Sequence, residues 1–267
     1  MVDASEAVDK ARKAVTERVE LPGMSLMEHL EELRKRIIHS AIYLGVGFAV
    51  AWIFHDRLVD FIQAPLKNDG KSLNMSHPMD GMNFAIHVSL VGGLIIASPF
   101  ILYQVWLFIA PGLYQKERRY VVPFMGATVG LFLTGAYFGY HWVLPSAVHI
   151  MLDYFGQKFT AVISIDEYTD FFQSIILGLG ISFELPILIF FLALFGLVSP
   201  RFLWRNIRYA VLATFIVAGI ICPMPDPVSM CIYALPLLML YIVGIGIAWW
   251  VHPSHREKRK KKKEAKS

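Results

Sequence analysis

Six long windows almost free of charge dominate this chain. No Asp, Glu, Lys or Arg occurs within 37–55, 81–115, 120–152, 209–225 or 227–254, and the window 171–200 holds only Glu184. A helix needs about 20 apolar residues to cross the hydrocarbon core of a bilayer, where every backbone polar group must be satisfied within the segment. Most of the windows reach that length, and little chain is left between them. Composition agrees: of 267 residues, 56% are hydrophobic and 17% charged, against about 25% charged in an average soluble domain. The chain therefore reads as an all-α integral membrane protein. Six transmembrane helices are expected at roughly 37–55, 84–109, 120–144, 168–195, 208–222 and 229–250. No stretch remains for a soluble catalytic domain.

Orientation follows from the basic residues. Of the 25 Lys and Arg, 21 lie before the first span, in the loops near 117 and 204, or in the tail. The other side holds four: Arg57, Lys67, Lys71 and Lys158. Basic residues are retained in the cytoplasm, so both termini are expected there. The polar stretch 1–36 carries eight acidic residues and does not read as a cleaved leader. Three regions result: a polar cytoplasmic extension over 1–24, a membrane domain over 25–251, and a basic tail over 252–267. The tail reads as disordered and attracted to anionic lipid.

Two patterns bear on packing. Pro99, Pro123, Pro186 and Pro236 fall in or near spans; each removes a backbone donor and favours a kink, so a concave, cupped bundle is expected. The third span carries Gly126/Gly130 and Gly135/Gly139, spacings that permit close helix approach. The fifth span is short: the 14 residues from Tyr209 to Cys222 rise about 21 Å, less than a hydrocarbon core of about 30 Å.

Enzyme motifs are missing. There is no phosphate-binding loop, no H-E-x-x-H and no C-x-x-C. The nine histidines are scattered, and Cys222 and Cys231 read as small apolar residues. No metal, cofactor or nucleic acid is expected, and the function is binding or transport rather than catalysis. Three acidic positions stand out. In SLMEHLEELRKRI at 25–37, Ser25 and Glu28 form a capping-box pattern, and Leu26, Leu30, Leu33 and Ile37 make an apolar stripe. This reads as an amphipathic helix on the cytoplasmic interface, leading into the first span. Its charges suit intrahelical pairing of Glu31 with Lys35 and Glu32 with Arg36. The loop at 111–119 holds one acid, Glu117, beside Lys116, Arg118 and Arg119. Glu184 sits within an apolar span, where an ionisable group costs about 2.5–3.5 kcal/mol. Gln173, Ser174 and Ser182 are its polar neighbours in sequence. Asp226, between two prolines, suits a tight external turn.

At these residues the chain resembles the TatC subunit of the twin-arginine protein translocase. The likeness runs over about residues 25–250, through HLEELRKRI at 29–37, APL at 64–66, SPFILYQVWLFIAPGLYQKERR at 98–119, GISFELP at 180–186 and PDP before the last span. It implies a receptor in the cytoplasmic membrane for folded cargo bearing an Arg-Arg signal peptide, driven by the proton-motive force. Glu32 and Glu117 stand at the family's signal-binding acids. Arg34, Arg118 and Arg119 belong to the same patch. A guanidinium presents a planar fork of donors to a carboxylate, which lysine cannot match. Glu184 and the fifth span stand where the family docks its single-span partners, TatA and TatB, and self-association is implied as well. Pro65 and Asp226 mark loop positions of structural or functional weight. One departure is CPMPDPVSM at 222–230, where Met230 replaces a family glutamine and a threonine is absent. The competing reading from the residues alone is a proton-coupled small-solute transporter with Glu184 as relay. It requires ionisable groups on several spans.

Overall fold

The computed structural model describes residues 26–68, 72–109, 121–154, 162–194, 196–221 and 227–251. Helix α1 runs unbroken over Leu26–Ile53, about 42 Å at 1.5 Å per residue. The expected interfacial helix is therefore not a separate element. Neither Gly nor Pro occurs between Leu26 and Tyr43, so nothing interrupts the hydrogen-bond ladder where the charged segment meets the apolar one.

After a turn at Phe54 comes α2, His55–Asn68. This corrects the placement of Pro65 in a loop: Pro65 lies inside α2. Ile62 and Leu66, four residues apart, are 3% and 1% exposed and fix its inner face. A proline at 65 leaves the Phe61 carbonyl without its helical donor. The Tyr140 hydroxyl donates to that oxygen at 2.7 Å, and the Tyr168 hydroxyl donates to Ile62 O at 2.8 Å.

Helix α3 covers Asp80–Ile109 and α4 covers Val121–Phe138. A π turn at Gly139–Val143, α5 at Leu144–His149 and a second π turn at Ile150–Tyr154 continue α4. Helix α6, Ile165–Ser182, is followed after Phe183 and Glu184 by α7, Leu185–Leu194. A short α8, Pro200–Arg205, precedes α9 at Ile207–Ile221 and α10 at Pro227–Val251. Ser199 caps α8 by accepting from Phe202 N at 3.2 Å, with Pro200 at the first helical position. Four runs, Met27–Ile53, Asp80–Ile109, Ile165–Leu194 and Pro227–Val251, are long and apolar enough to cross a membrane, and Ile207–Ile221 is a shorter apolar helix.

Among the described residues the fold is almost wholly helical, with one small exception. Strands β1, Leu73–Asn74, and β2, Ile163–Ser164, pair in parallel, Leu73 opposite Ile163 and Asn74 opposite Ser164. This pairing ties the connector before α3 to the start of α6.

Helix α1 packs along α3, α4 on α6, and α10 on α7 and α9, with α3 also touching α2, α4 and α6. Helices α1 and α3 come close enough for backbone to meet backbone. A Cβ on Gly47 would run into the Gly93 carbonyl, and one on Gly93 would sit 2.5 Å from Phe48 N. Of the two glycine pairs in the third span, Gly126 and Gly130 face open space. Gly135 and Gly139 instead admit α6: added Cβ atoms would lie 2.7 Å from Leu179 O and 3.2 Å from Ile175 Cγ2. The main core joins Val88, Leu144, Ile175, Leu179 and Leu237; a smaller one joins Ile189, Ala193, Leu203, Ile245 and Ala248. Helix geometry persists through Pro99 and Pro236. The Ile95 carbonyl orphaned by Pro99 accepts from the Ser98 hydroxyl at 2.8 Å.

Candidate functional site

Glu32 and Arg36 are four residues apart on α1 and so share a face. Arg36 Nη2 donates to Glu32 Oε1 at 3.0 Å, and Arg36 Nη1 donates to Gln104 Oε1 on α3 at 3.2 Å. The apolar stripe points the other way, with Leu30 and Ile37 each 58% exposed. In lipid this is the favourable arrangement, since apolar side chains lose nothing by facing outward while polar ones seek partners within the protein. The side chains of Glu32 and Arg36 are 14% and 23% exposed. Glu32 is thus not a surface residue, and the pair is shielded from the screening that makes exposed ion pairs weak. Glu32 Oε2 and Arg36 Nε are buried with no hydrogen-bond partner among the described residues. Glu31, whose expected partner was Lys35, makes no such pair among the described residues.

The neighbouring end of α3 is firmly held. His29 stacks on Phe108 at 4.5 Å between ring centres, joining the start of α1 to the end of α3. Trp106 Nε1 donates to Thr128 Oγ1 on α4 at 3.1 Å, and the Trp106 ring lies 4.9 Å from that of Phe191 on α7. Ser98, Gln104 and Trp106 of the 98–119 motif are all buried. Arg34 is exposed and turns away from the pair, bordering an open groove of about 260 Å³ with Glu31, Lys35, Ile38 and His39. Glu117, Arg118 and Arg119 lie outside the described residues, in the segment 110–120 that leaves α3 after Ile109. Sequence reasoning singled out Glu32 but missed Gln104. Its signal was a glutamine deep in a window without Asp, Glu, Lys or Arg.

Glu184 occupies the break between α6 and α7. Pro186 lacks an N–H and crowds the carbonyl of Ser182, which accounts for the interruption. Glu184 N donates to Ile181 O at 3.0 Å, and Glu184 O accepts from Leu188 N at 2.9 Å, so the chain stays close to a helical path. Its Oε1 is buried without a partner. Two of the three polar neighbours anticipated for it are engaged elsewhere: Ser182 Oγ donates to Gly178 O at 2.6 Å, and Gln173 Oε1 meets His87 Nδ1 at 3.2 Å. Asp226 lies outside the described residues. Met230 Cε lies against Gly219 of α9, a contact in which no polar group takes part.

Among the described residues, His77, Asp80 and Asp166 bring ligand-type atoms within 4.8 Å of one another. Asp80 Oδ2 accepts from Ser76 N and His77 N, each at 2.7 Å. Asp80 thus braces the turn that opens α3, and the cluster has a structural explanation without an ion.

Comparison with known proteins converges on one family. Residues 28–236 match the family model described as TatC, Sec-independent protein translocase protein. The chain is similar to Sec-independent protein translocase protein TatC of Koribacter versatilis (strain Ellin345), 49% identical over 98% of both chains. It is also similar to the protein of that name from Helicobacter pylori (strain J99), 39% identical over 87% of this chain and 92% of that one. A crystal structure described as the twin arginine translocase receptor TatC superposes with a TM-score of 0.76 at 35% identity, covering 84% of this chain and 99% of that one.

Proposed function

From this chain's membership of the TatC family of Sec-independent protein translocase proteins, we propose that it is the membrane receptor for twin-arginine signal peptides and the core subunit of a translocase for folded proteins. The observation that carries this reading is the state of Glu32. Its carboxylate is largely desolvated, is held by one bond to Arg36, and adjoins the end of α3 from which the Glu117 loop departs. A guanidinium arriving there meets an acceptor already stripped of water. A charge-assisted hydrogen bond contributes about 1.5–3 kcal/mol, so two acids, Glu32 and Glu117, discriminate well against signals lacking both arginines, and the planar fork that lysine lacks adds the geometric selection. Arg118 and Arg119 orient the acids or hold anionic lipid headgroups around them, and Arg34, exposed and turned away from the pair, is left to the headgroups.

The topology that serves this function has six spans with both termini in the cytoplasm, in the cytoplasmic membrane. The distribution of 21 basic residues against four supports it. It divides into a cytoplasmic extension over 1–24, a membrane domain over 25–251 and a basic tail over 252–267. Glu184 and α9 dock single-span partners of the TatA and TatB type, copies of the chain associate, and the proton-motive force drives export. The buried side-chain oxygen Oε1 of Glu184, which has no hydrogen-bond partner, supports the docking role.

The test is crosslinking from a photoreactive residue at position 32 or 117 in the full chain. A synthetic Arg-Arg signal peptide is expected to be labelled and its Lys-Lys counterpart not; equal labelling of the two would overturn the receptor reading.

A further inference from the structure

The Glu32–Arg36 pair is oddly incomplete. An arginine and a carboxylate frequently close a fork, with Nε and one Nη donating to both carboxylate oxygens. Here one bond forms, while Glu32 Oε2 and Arg36 Nε both stay buried without partners. Leaving such groups unsatisfied costs about 1–3 kcal/mol each, so something must hold the fork open. The group that pulls on Arg36 from the other side is Gln104. Its Oε1 accepts from Nη1 at 3.2 Å, and the side chain that carries it is almost wholly enclosed, at 4% residue exposure. Gln104 is itself fixed, because it sits on α3 between the Gly47–Gly93 contact and the His29–Phe108 stack.

We infer that Gln104 is a positioning residue of the Glu32 site: by tethering Arg36 it keeps the Glu32–Arg36 pair single-bonded, so that Glu32 retains an acceptor for an incoming guanidinium. The inference rests on the receptor reading above and deepens it. Arg36 is then an internal place-holder of the same chemistry as the ligand. It keeps the desolvated carboxylate neutralised between binding events. It yields to a second guanidinium because its own bond is only half made. A lysine ammonium, a point charge without the planar fork, gains less from the open acceptor.

Removing the tether lets Arg36 collapse onto Glu32 and close the site. Fluorescence anisotropy with a labelled synthetic Arg-Arg signal peptide, on the full chain in lipid nanodiscs, measures this directly. Gln104→Leu is expected to weaken binding about tenfold, the equivalent of one hydrogen bond. In an Arg36→Ala background the same substitution should change affinity less than twofold, because the residue it acts through is gone. Gln104→Glu, which keeps the acceptor and pulls harder on Arg36, should bind at least as tightly as wild type. Unchanged binding by Gln104→Leu would overturn the inference. So would equal losses with and without Arg36, or a loss in Gln104→Glu matching that in Gln104→Leu. Glu32→Gln separates the two levels of argument. If it binds the peptide normally, the receptor reading itself falls. If it loses binding while Gln104 proves indifferent, only the positioning role is lost.

Discussion

At the scale of single residues, the polar groups inside this protein divide into those fully used and those held in reserve. Tyr140, Tyr168 and Ser98 hydroxyls each donate to a backbone carbonyl, and two of those carbonyls are ones that a proline had deprived of a helical donor. Such groups are structural. Glu184 is different, because Oε1 is buried and unused. An acceptor in that state costs the isolated protein about 1–3 kcal/mol. Its removal should therefore not destabilise the chain. Glu184→Ala is expected to melt no lower than wild type in a detergent thermal-shift assay while losing co-purification of TatA- and TatB-type partners. Wild-type recovery of the partners would refute the docking role. The position was visible in the sequence as one charge within an apolar window. Its lack of a partner was not, since Gln173 and Ser182 looked available and are engaged with His87 and Gly178.

At the scale of elements, helix contacts in lipid rest on shape, because apolar side chains gain nothing by leaving one hydrocarbon environment for another. The pair α1 and α3 shows how local that requirement is. Gly45 and Gly47 lie on one helix two residues apart. A Cβ at Gly45 meets nothing within 4 Å, whereas one at Gly47 collides with the Gly93 backbone. Gly45→Ala should leave thermal stability unchanged or slightly raised, since alanine is the better helix former by about 1 kcal/mol. Gly47→Ala forces the helices apart, and overpacking of this kind costs about 1–3 kcal/mol. Comparing the two melting temperatures checks the contact; equal values would show that α1 and α3 are not in register there. The same distinction separates Gly126 and Gly130, in open space, from Gly135 and Gly139, which seat α6. A glycine spacing in the sequence announces that close approach is permitted, but the rotation of the helix about its axis decides whether anything approaches.

At the scale of the whole molecule, the segregation of basic residues makes a prediction independent of any single contact. With both termini cytoplasmic, a fluorescent protein fused after Ser267 should fluoresce, and alkaline phosphatase fused there should be inactive. The reverse pattern would place Glu32 on the wrong face to meet a cytoplasmic ligand and would remove the receptor reading. What the sequence determined by itself was the class of molecule and its family. Both are written in contiguous stretches: apolar windows that a bilayer demands segment by segment, and motifs such as HLEELRKRI and SPFILYQVWLF that stand complete in the chain. Among the described residues it anticipated helix in each of the four long apolar runs, although it divided α1 into an interfacial helix and a span, missed α2 and put Pro65 in a loop, because short amphipathic segments carry no such demand. What only the tertiary structure decided was which polar groups meet. Arg36 finds Gln104 across 68 residues, and Tyr168 finds Ile62 across 106. Each meeting depends on the rotation and offset of two packed helices. An apolar window says nothing about either, because lipid accepts every face of a hydrophobic helix equally and leaves the choice to steric fit and to the few polar side chains within.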